Sequence, residues 1–227
     1  MKRRGQPEDA NTTQAPVGVV LAGGASRRMG RDKAVLMLGG ETLAAGAARR
    51  LAAVCAEVAV ADRGRRTVPD LPSVEDGPGR GPAAALLGAA RTWPGRPLLA
   101  LACDLPGVPV ALLADLIDLI DLTAGTGDWI VPRWQGGLEP LCALWGPKAL
   151  AVLAERVERG LYALHELSGE AGIVTAFLEG GRLEVHGRPE EMFWNVNTPE
   201  DLEPYTSSAP AGTPPQRSQG QISRRNS

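Results

Sequence analysis

Aromatic residues are scarce in this chain: phenylalanine, tryptophan and tyrosine together make up 4% of its 227 residues. So little ring surface leaves no material for a base-stacking platform of the kind that holds single-stranded nucleic acid. The net charge of −2 adds no general pull toward DNA, RNA or an acidic membrane. Histidine occurs only as His165 and His186, in separate segments, which argues against a histidine-based metal site. The three cysteines, Cys55, Cys103 and Cys142, are scattered and form no Cys-x-x-Cys spacing. An odd, dispersed set suits packed thiols, Cys103 at a strand end included, better than a disulfide framework or a zinc site. No apolar run reaches the roughly 18 residues of a membrane span. The opening Met1–Gly5 lacks the apolar stretch of a secretory signal, so the expected compartment is the cytoplasm.

What is abundant is alanine, leucine and valine, within a hydrophobic share of 44%. Small aliphatic side chains suit close packing of helices on a sheet. Residues 1–15 are polar and aperiodic and read as a disordered leader. From 206 to 227 the chain turns to Ser, Pro, Gly, Gln and Arg, a basic tail with too little apolar surface to offset its ordering entropy. Between them, residues 16–205 read as one domain of ordinary size. Short apolar runs at Val17–Leu21, Val58–Ala61, Leu98–Ala102, Trp129–Val131 and Leu141–Trp145 predict strands. Helical spacing predicts helices over Leu43–Val54, Pro82–Arg91, Val110–Ile120 and Ala149–Val157, with Asp115, Asp118 and Asp121 on the wet side of the third. Such alternation predicts an α/β fold: a single-domain, Rossmann-like three-layer sandwich with a mostly parallel sheet. Ligands of these sheets bind beyond the strands' carboxyl ends.

The most informative stretch follows the first strand: Leu21-Ala-Gly-Gly-Ala-Ser-Arg-Arg-Met-Gly-Arg-Asp-Lys33. Glycines let the backbone approach an anion closely, and free N–H groups in such a loop point into its concavity. Arginine and lysine add positive charge around the same spot. A strand opening into a glycine-rich cationic loop can hold a polyphosphate. It is not a Walker A loop, because Gly30 is followed by Arg31-Asp32 and Lys33 by Ala34. Nor is it a dinucleotide fingerprint, because Gly23 and Gly24 are adjacent and no third glycine stands at the required offset.

Three further segments carry candidate chemistry. Leu98–Pro109 delivers one aspartate, Asp104, from an apolar strand before prolines force the chain away. A carboxylate there can ligate Mg²⁺, which takes few protein oxygens and keeps substrate phosphates and waters; a turn or helix-capping aspartate is the plainer alternative. Val74–Ala83 is a glycine- and proline-rich loop carrying Asp76 and leading through Gly81-Pro82 into a helix, where proline is well tolerated in the first turn. Its plainer reading is a surface turn. In Phe193–Leu202, Thr198 can cap a helix starting at Pro199, with Glu200 and Asp201 at its positive end.

The pattern Leu-Ala-Gly-Gly-x-Ser-x-Arg-Met-Gly-x-Asp-Lys resembles the signature of the sugar-phosphate and cofactor nucleotidyltransferases, and most of all the molybdenum cofactor guanylyltransferases. The resemblance extends through Cys103-Asp104-Leu105-Pro106, the Asp76 loop and the Asn-Val-Asn-Thr-Pro-Glu-Asp segment, from about Val17 to Leu202. It implies a sheet of the nucleotide-diphospho-sugar transferase type and transfer of GMP from GTP to molybdopterin. It also implies Mg²⁺ on Asp104 and Asn197, with Arg28, Lys33 and Asp104 as catalytic residues. Leu21, Ala22, Gly23, Gly24, Lys33, Asp76, Gly81 and Asp104 would bind the nucleotide, Asp76 by accepting from the guanine N–H groups. Glu139–Trp145 resembles the family's acceptor-side segment. Trp134 and Trp145 could stack on a pterin or simply pack. Implied partners are GTP, molybdopterin or the molybdenum cofactor, and transiently the molybdoenzymes or other proteins of that pathway. Alternatives are a CTP-dependent cytidylyltransferase, a guanylyltransferase for another small phosphorylated acceptor, and a non-catalytic nucleotide-binding protein. Gly23 and Asp32 lean toward guanine.

Overall fold

A computed structural model describes residues 15–23, 32–122 and 127–206. In chain order the strands are β1 (Val17–Leu21), β2 (Met37–Leu38), β3 (Glu41–Thr42), β4 (Glu57–Ala61), β5 (Ser73–Val74), β6 (Leu98–Ala102), β7 (Trp129–Trp134), β8 (Gly137–Leu138), β9 (Cys142–Trp145) and β10 (Thr175–Leu178). The helices are α1 (Leu43–Ala52), α2 (Gly81–Thr92), α3 (Val110–Leu122), α4 (Pro147–Glu158), α5 (Gly181–Glu184), α6 (Pro189–Met192) and α7 (Glu203–Thr206). The main sheet runs β10-β7-β9-β6-β1-β4-β5. β1, β4, β5 and β6 are mutually parallel, and β9 runs antiparallel to both β6 and β7. The sequence-based architecture is therefore the observed one.

Alternation along the strands builds two cores. Val17, Val19, Leu98 and Ala100 face the layer of α2 and α4, while Val20, Leu99 and Leu101 face α1 and α3. With both faces covered, β1 and β6 are buried at every residue, which is why they read as continuous apolar runs. Caps set where the helices start. Thr42 Oγ1 accepts from Ala45 N–H at 3.1 Å before α1, and prolines occupy the first turns of α2 and α4.

The departures from the sequence reading have local causes. β2 and β3 form a hairpin closed by Gly39 and Gly40 at φ 59° and 90°, two left-handed residues of the sort that hairpin turns take. β2, β3, β5 and β8 are two residues long and present no period to detect. β7 continues past the predicted Val131, because Pro132 lies beyond the paired stretch Trp129–Ile130 against β9 and needs no ladder N–H there. Asp115 is not simply solvated: it binds Arg182 and, at 3.1 Å, His186 Nε2. Among the described residues no helix is long and apolar enough to cross a membrane.

Register places the site. Leu21 stands level with Ala61 on one side and Ala102 on the other, and Ala61 is level with Val74. Four parallel strands thus end on one line, and the residues that follow them are Ala22-Gly23, Asp62-Arg63, Glu75-Asp76 and Cys103-Asp104.

Candidate functional site

Beyond those strand ends lies a cavity of about 260 Å³ lined by Leu21, Ala22 and Gly23, by Asp32 and Lys33, and by Arg63, Asp76, Gly81, Cys103 and Asp104 among others. Seven of the sequence-predicted residues (Leu21, Ala22, Gly23, Lys33, Asp76, Gly81 and Asp104) therefore meet in one space. Gly24 and Arg28 lie outside the described residues, as do most of the predicted leader and most of the tail.

At one end of the cavity Lys33 reaches across the sheet. Its Nζ donates to Asp104 Oδ2 at 3.3 Å and to Asn197 Oδ1 at 2.6 Å. Asp32 starts the single 3₁₀ turn Lys33–Val35 by accepting from Ala34 N–H at 3.1 Å. Asn197 is positioned from the far end of the chain. Val196 N–H donates to the Asp104 carbonyl at 2.9 Å, and Asp201 accepts from the N–H groups of Asn197 and Thr198 at 2.7 and 2.8 Å. The acid three residues after the cap thus fixes the segment before the turn Pro199–Leu202, which is 3₁₀ rather than α.

At the other end Arg63 Nε donates to Asp76 Oδ2 at 2.7 Å. The second carboxylate oxygen, Oδ1, is buried and has no hydrogen-bond partner among the described residues. An unpaired buried oxygen is costly, so it is a place for a donor to arrive. Gly23 lies against this pair: a Cβ there would stand 3.7 Å from Arg63 Nε and 3.8 Å from Asp76 Oδ1, in ordinary contact. The segment carrying Asp76 is pressed onto α2, where a Cβ on Gly88 would fall 2.0 Å from the Glu75 carbonyl oxygen.

Sequence reasoning missed Arg63, Arg65 and Asp62. Asp62 is fully buried and accepts from Thr67 N–H at 2.6 Å and from Ser73 Oγ. Its pKa lies below the usual carboxylate range: burial pushes it up, but the Ser73 and Thr67 hydrogen bonds pull it down further. The one available signal was the arginine-rich run Arg63-Gly-Arg-Arg66 directly after a strand. Cys103, although it lines the cavity, is packed: burial, then the neighbouring Asp104, push its thiol up to about 12. Trp145 is fully buried against Trp129 and therefore packs, whereas Trp134 is half-buried and stacks on Phe193. Glu139 is buried and accepts from Trp134 Nε1 at 3.1 Å.

Residues 18–174 match the MobA-like NTP transferase domain. A probable molybdenum cofactor guanylyltransferase of Opitutus terrae is 37% identical over 198 residues, covering 82% of this chain and 93% of that one. The molybdopterin-guanine dinucleotide biosynthesis protein A of Archaeoglobus fulgidus shares the fold, with a TM-score of 0.67 at 24% identity over 82% of this chain and 94% of its own. A manganese complex of Rv0371c from Mycobacterium tuberculosis shares it too, with a TM-score of 0.51 at 21% identity over 72% and 87%. With a strand-end cavity of this make-up and a domain match across more than half its length, the chain belongs to the MobA-like NTP transferase family.

Proposed function

We propose that this protein transfers GMP from GTP to the terminal phosphate of molybdopterin and releases pyrophosphate. The observation that carries the reading is that one cavity holds Lys33 and Asp104, with Asn197 bound to the same ammonium, and Asp76 Oδ1, which has no partner among the described residues. A guanine N–H would satisfy that oxygen, while the Ala22-Gly23 backbone and Lys33 face the phosphates. The attacking oxygen belongs to a phosphate already ionised near neutral pH, so no side chain has to remove a proton. A P–O bond forms to the GTP α-phosphorus as the bond to pyrophosphate breaks. The work left to the protein is to hold anions in line and offset their charge.

Asp104 Oδ2 and Asn197 Oδ1 converge on one ammonium, so both oxygens already face a cationic point. A carboxylate and an amide oxygen are hard donors and suit Mg²⁺, with substrate phosphates and water completing its shell. That ion would neutralise phosphate charge. The test is incubation of the protein with GTP, Mg²⁺ and molybdopterin, with the product identified by mass and pyrophosphate counted. One pyrophosphate per dinucleotide is expected. No dinucleotide, or turnover with CTP in preference to GTP, overturns the reading.

A further inference from the structure

The turn after β4 is unusual for its cost. Arg63 and Arg66 adopt left-handed backbone at φ 62° and 53°, with Gly64 between them at φ 74°. Non-glycine residues resist that region, and such strain persists where the surroundings over-determine it. Here Asp62 does so, buried beneath the turn with bonds from Thr67 and Ser73. What the turn presents is Arg65. Its Nε donates to the Asp62 carbonyl at 2.7 Å, which fixes the plane of the guanidinium. Its Nη2 donates to the Ala22 carbonyl at 2.6 Å and its Nη1 to Asp32 Oδ2. Ala22 and Asp32 flank the glycine-rich segment on either side in sequence, so one planar group ties both flanks of that segment to β4.

We propose that Arg65 is the positioning residue for Lys33. The other oxygen of Asp32 accepts from Ala34 N–H, so the carboxylate that Arg65 grips is the one that builds the turn bearing Lys33. A chain of contacts runs from Asp62 through Arg65 and Asp32 to the Lys33 ammonium at Asp104 and Asn197. Two or more donors from a rigid fork are needed at once, a geometry that arginine offers and lysine does not. The consequence for ligand binding rests on the proposed function, in which Lys33 meets the phosphates of GTP.

The test compares wild type, Arg65→Ala and Arg65→Lys in the full chain by amide exchange at Ala34 and by GTP titration, with Val20 exchange as the control for global opening. Exchange at Ala34 is expected to accelerate in Arg65→Ala while Val20 is unchanged, and GTP affinity to fall roughly tenfold to a hundredfold, the worth of one lost charge-assisted bond or more. Arg65→Lys should recover little of either, whereas added methylguanidinium should restore part of both in Arg65→Ala. Unchanged exchange at Ala34 overturns the proposal whatever GTP does, and so does accelerated exchange with unaltered GTP affinity. If wild type binds no GTP, the functional reading fails, and accelerated Ala34 exchange in Arg65→Ala still supports the clamp.

Discussion

Asp104→Asn separates what the carboxylate does for the reaction from what it does for the fold. In the free protein its ion pair is with Lys33 at 3.3 Å, both side chains about a fifth exposed at 22% and 20%. A pair as open to water as this contributes about 0.2–1 kcal/mol, and for a chain of this size 1 kcal/mol moves Tm by roughly 2–4 °C. Asparagine keeps the shape and one oxygen. The backbone bonds around it, Val196 N–H to the Asp104 carbonyl and Leu105 N–H to the Ala102 carbonyl, are untouched. In the proposed reaction the same change removes a full charge from the place where phosphates must be held. Losing one such electrostatic group typically lowers turnover by about 10²–10³, or roughly 2.7–4 kcal/mol of barrier. Pyrophosphate release should therefore collapse while the melting curve hardly moves. Near wild-type turnover in folded Asp104→Asn would refute the assignment. A Tm loss above about 10 °C would mean instead that the carboxylate is structural, because it exceeds what a surface pair can supply.

Arg50 is buried and donates to the carbonyls of Leu105, Pro106 and Val108 at 2.9, 3.0 and 2.9 Å; Arg50→Met should lower stability by about 2–4 kcal/mol in a urea melt, as buried acceptors lose their donor. Gly88→Ala should unfold the protein or shift the Asp76 segment, measured as lower Tm and weaker GTP binding, because the new methyl meets the Glu75 carbonyl. Asp115 titrates below the usual carboxylate range, held first by Arg182 and then by His186. A depressed folded pKa means that this stabilisation is present above about pH 4 and is lost as pH falls through the folded value, so Asp115→Asn should flatten the acid limb of the stability profile. Cys103 and Cys142 should resist thiol reagents at pH 8 until the protein is denatured, since burial raises both thiols, and Cys103→Ala should keep turnover.

The fold was legible where apolar runs were long enough to have a period. β1 and β6, buried on both faces, announced a parallel sheet, and the residues after them marked its functional edge. β5 was not legible, because two residues carry no pattern; its strand character comes from pairing beside Val60 and Ala61. Asp104, Asp76 and Lys33 could be picked out by their place beside glycines and prolines. Arg65 could not. Its importance lies in contacts with residues 43 and 33 positions away, and nothing local separates it from the exposed Arg66. Asn197 shows the same limit from the other side: spacing explained its segment as the approach to a capped helix, and only the fold brings its amide to Lys33, 164 residues distant in sequence.

The charges around the cavity share one arrangement. Lys33 is paired with Asp104, Arg63 with Asp76 and Arg65 with Asp32. Each cation is held in place by an acid, which fits a protein whose net charge is slightly negative although it is proposed to bind a polyphosphate. Fixed pairs lose less conformational freedom on binding than mobile side chains would, so the arms are set in advance. The cost is that a cation drawn to phosphate leaves its carboxylate short of charge. Arg63 and Arg65 each hold their acid through one guanidinium nitrogen, so the group has other donors and need not leave it. Lys33 is different, since its single ammonium serves Asp104 and Asn197 together. If Lys33 turns to the nucleotide, those two oxygens must receive another cation, and a nucleotide that arrives with its own divalent ion brings one. In the proposed reaction, nucleotide and metal should therefore strengthen each other's binding through Lys33, read as GTP affinity that rises with Mg²⁺ in wild type and does not in Asp104→Asn.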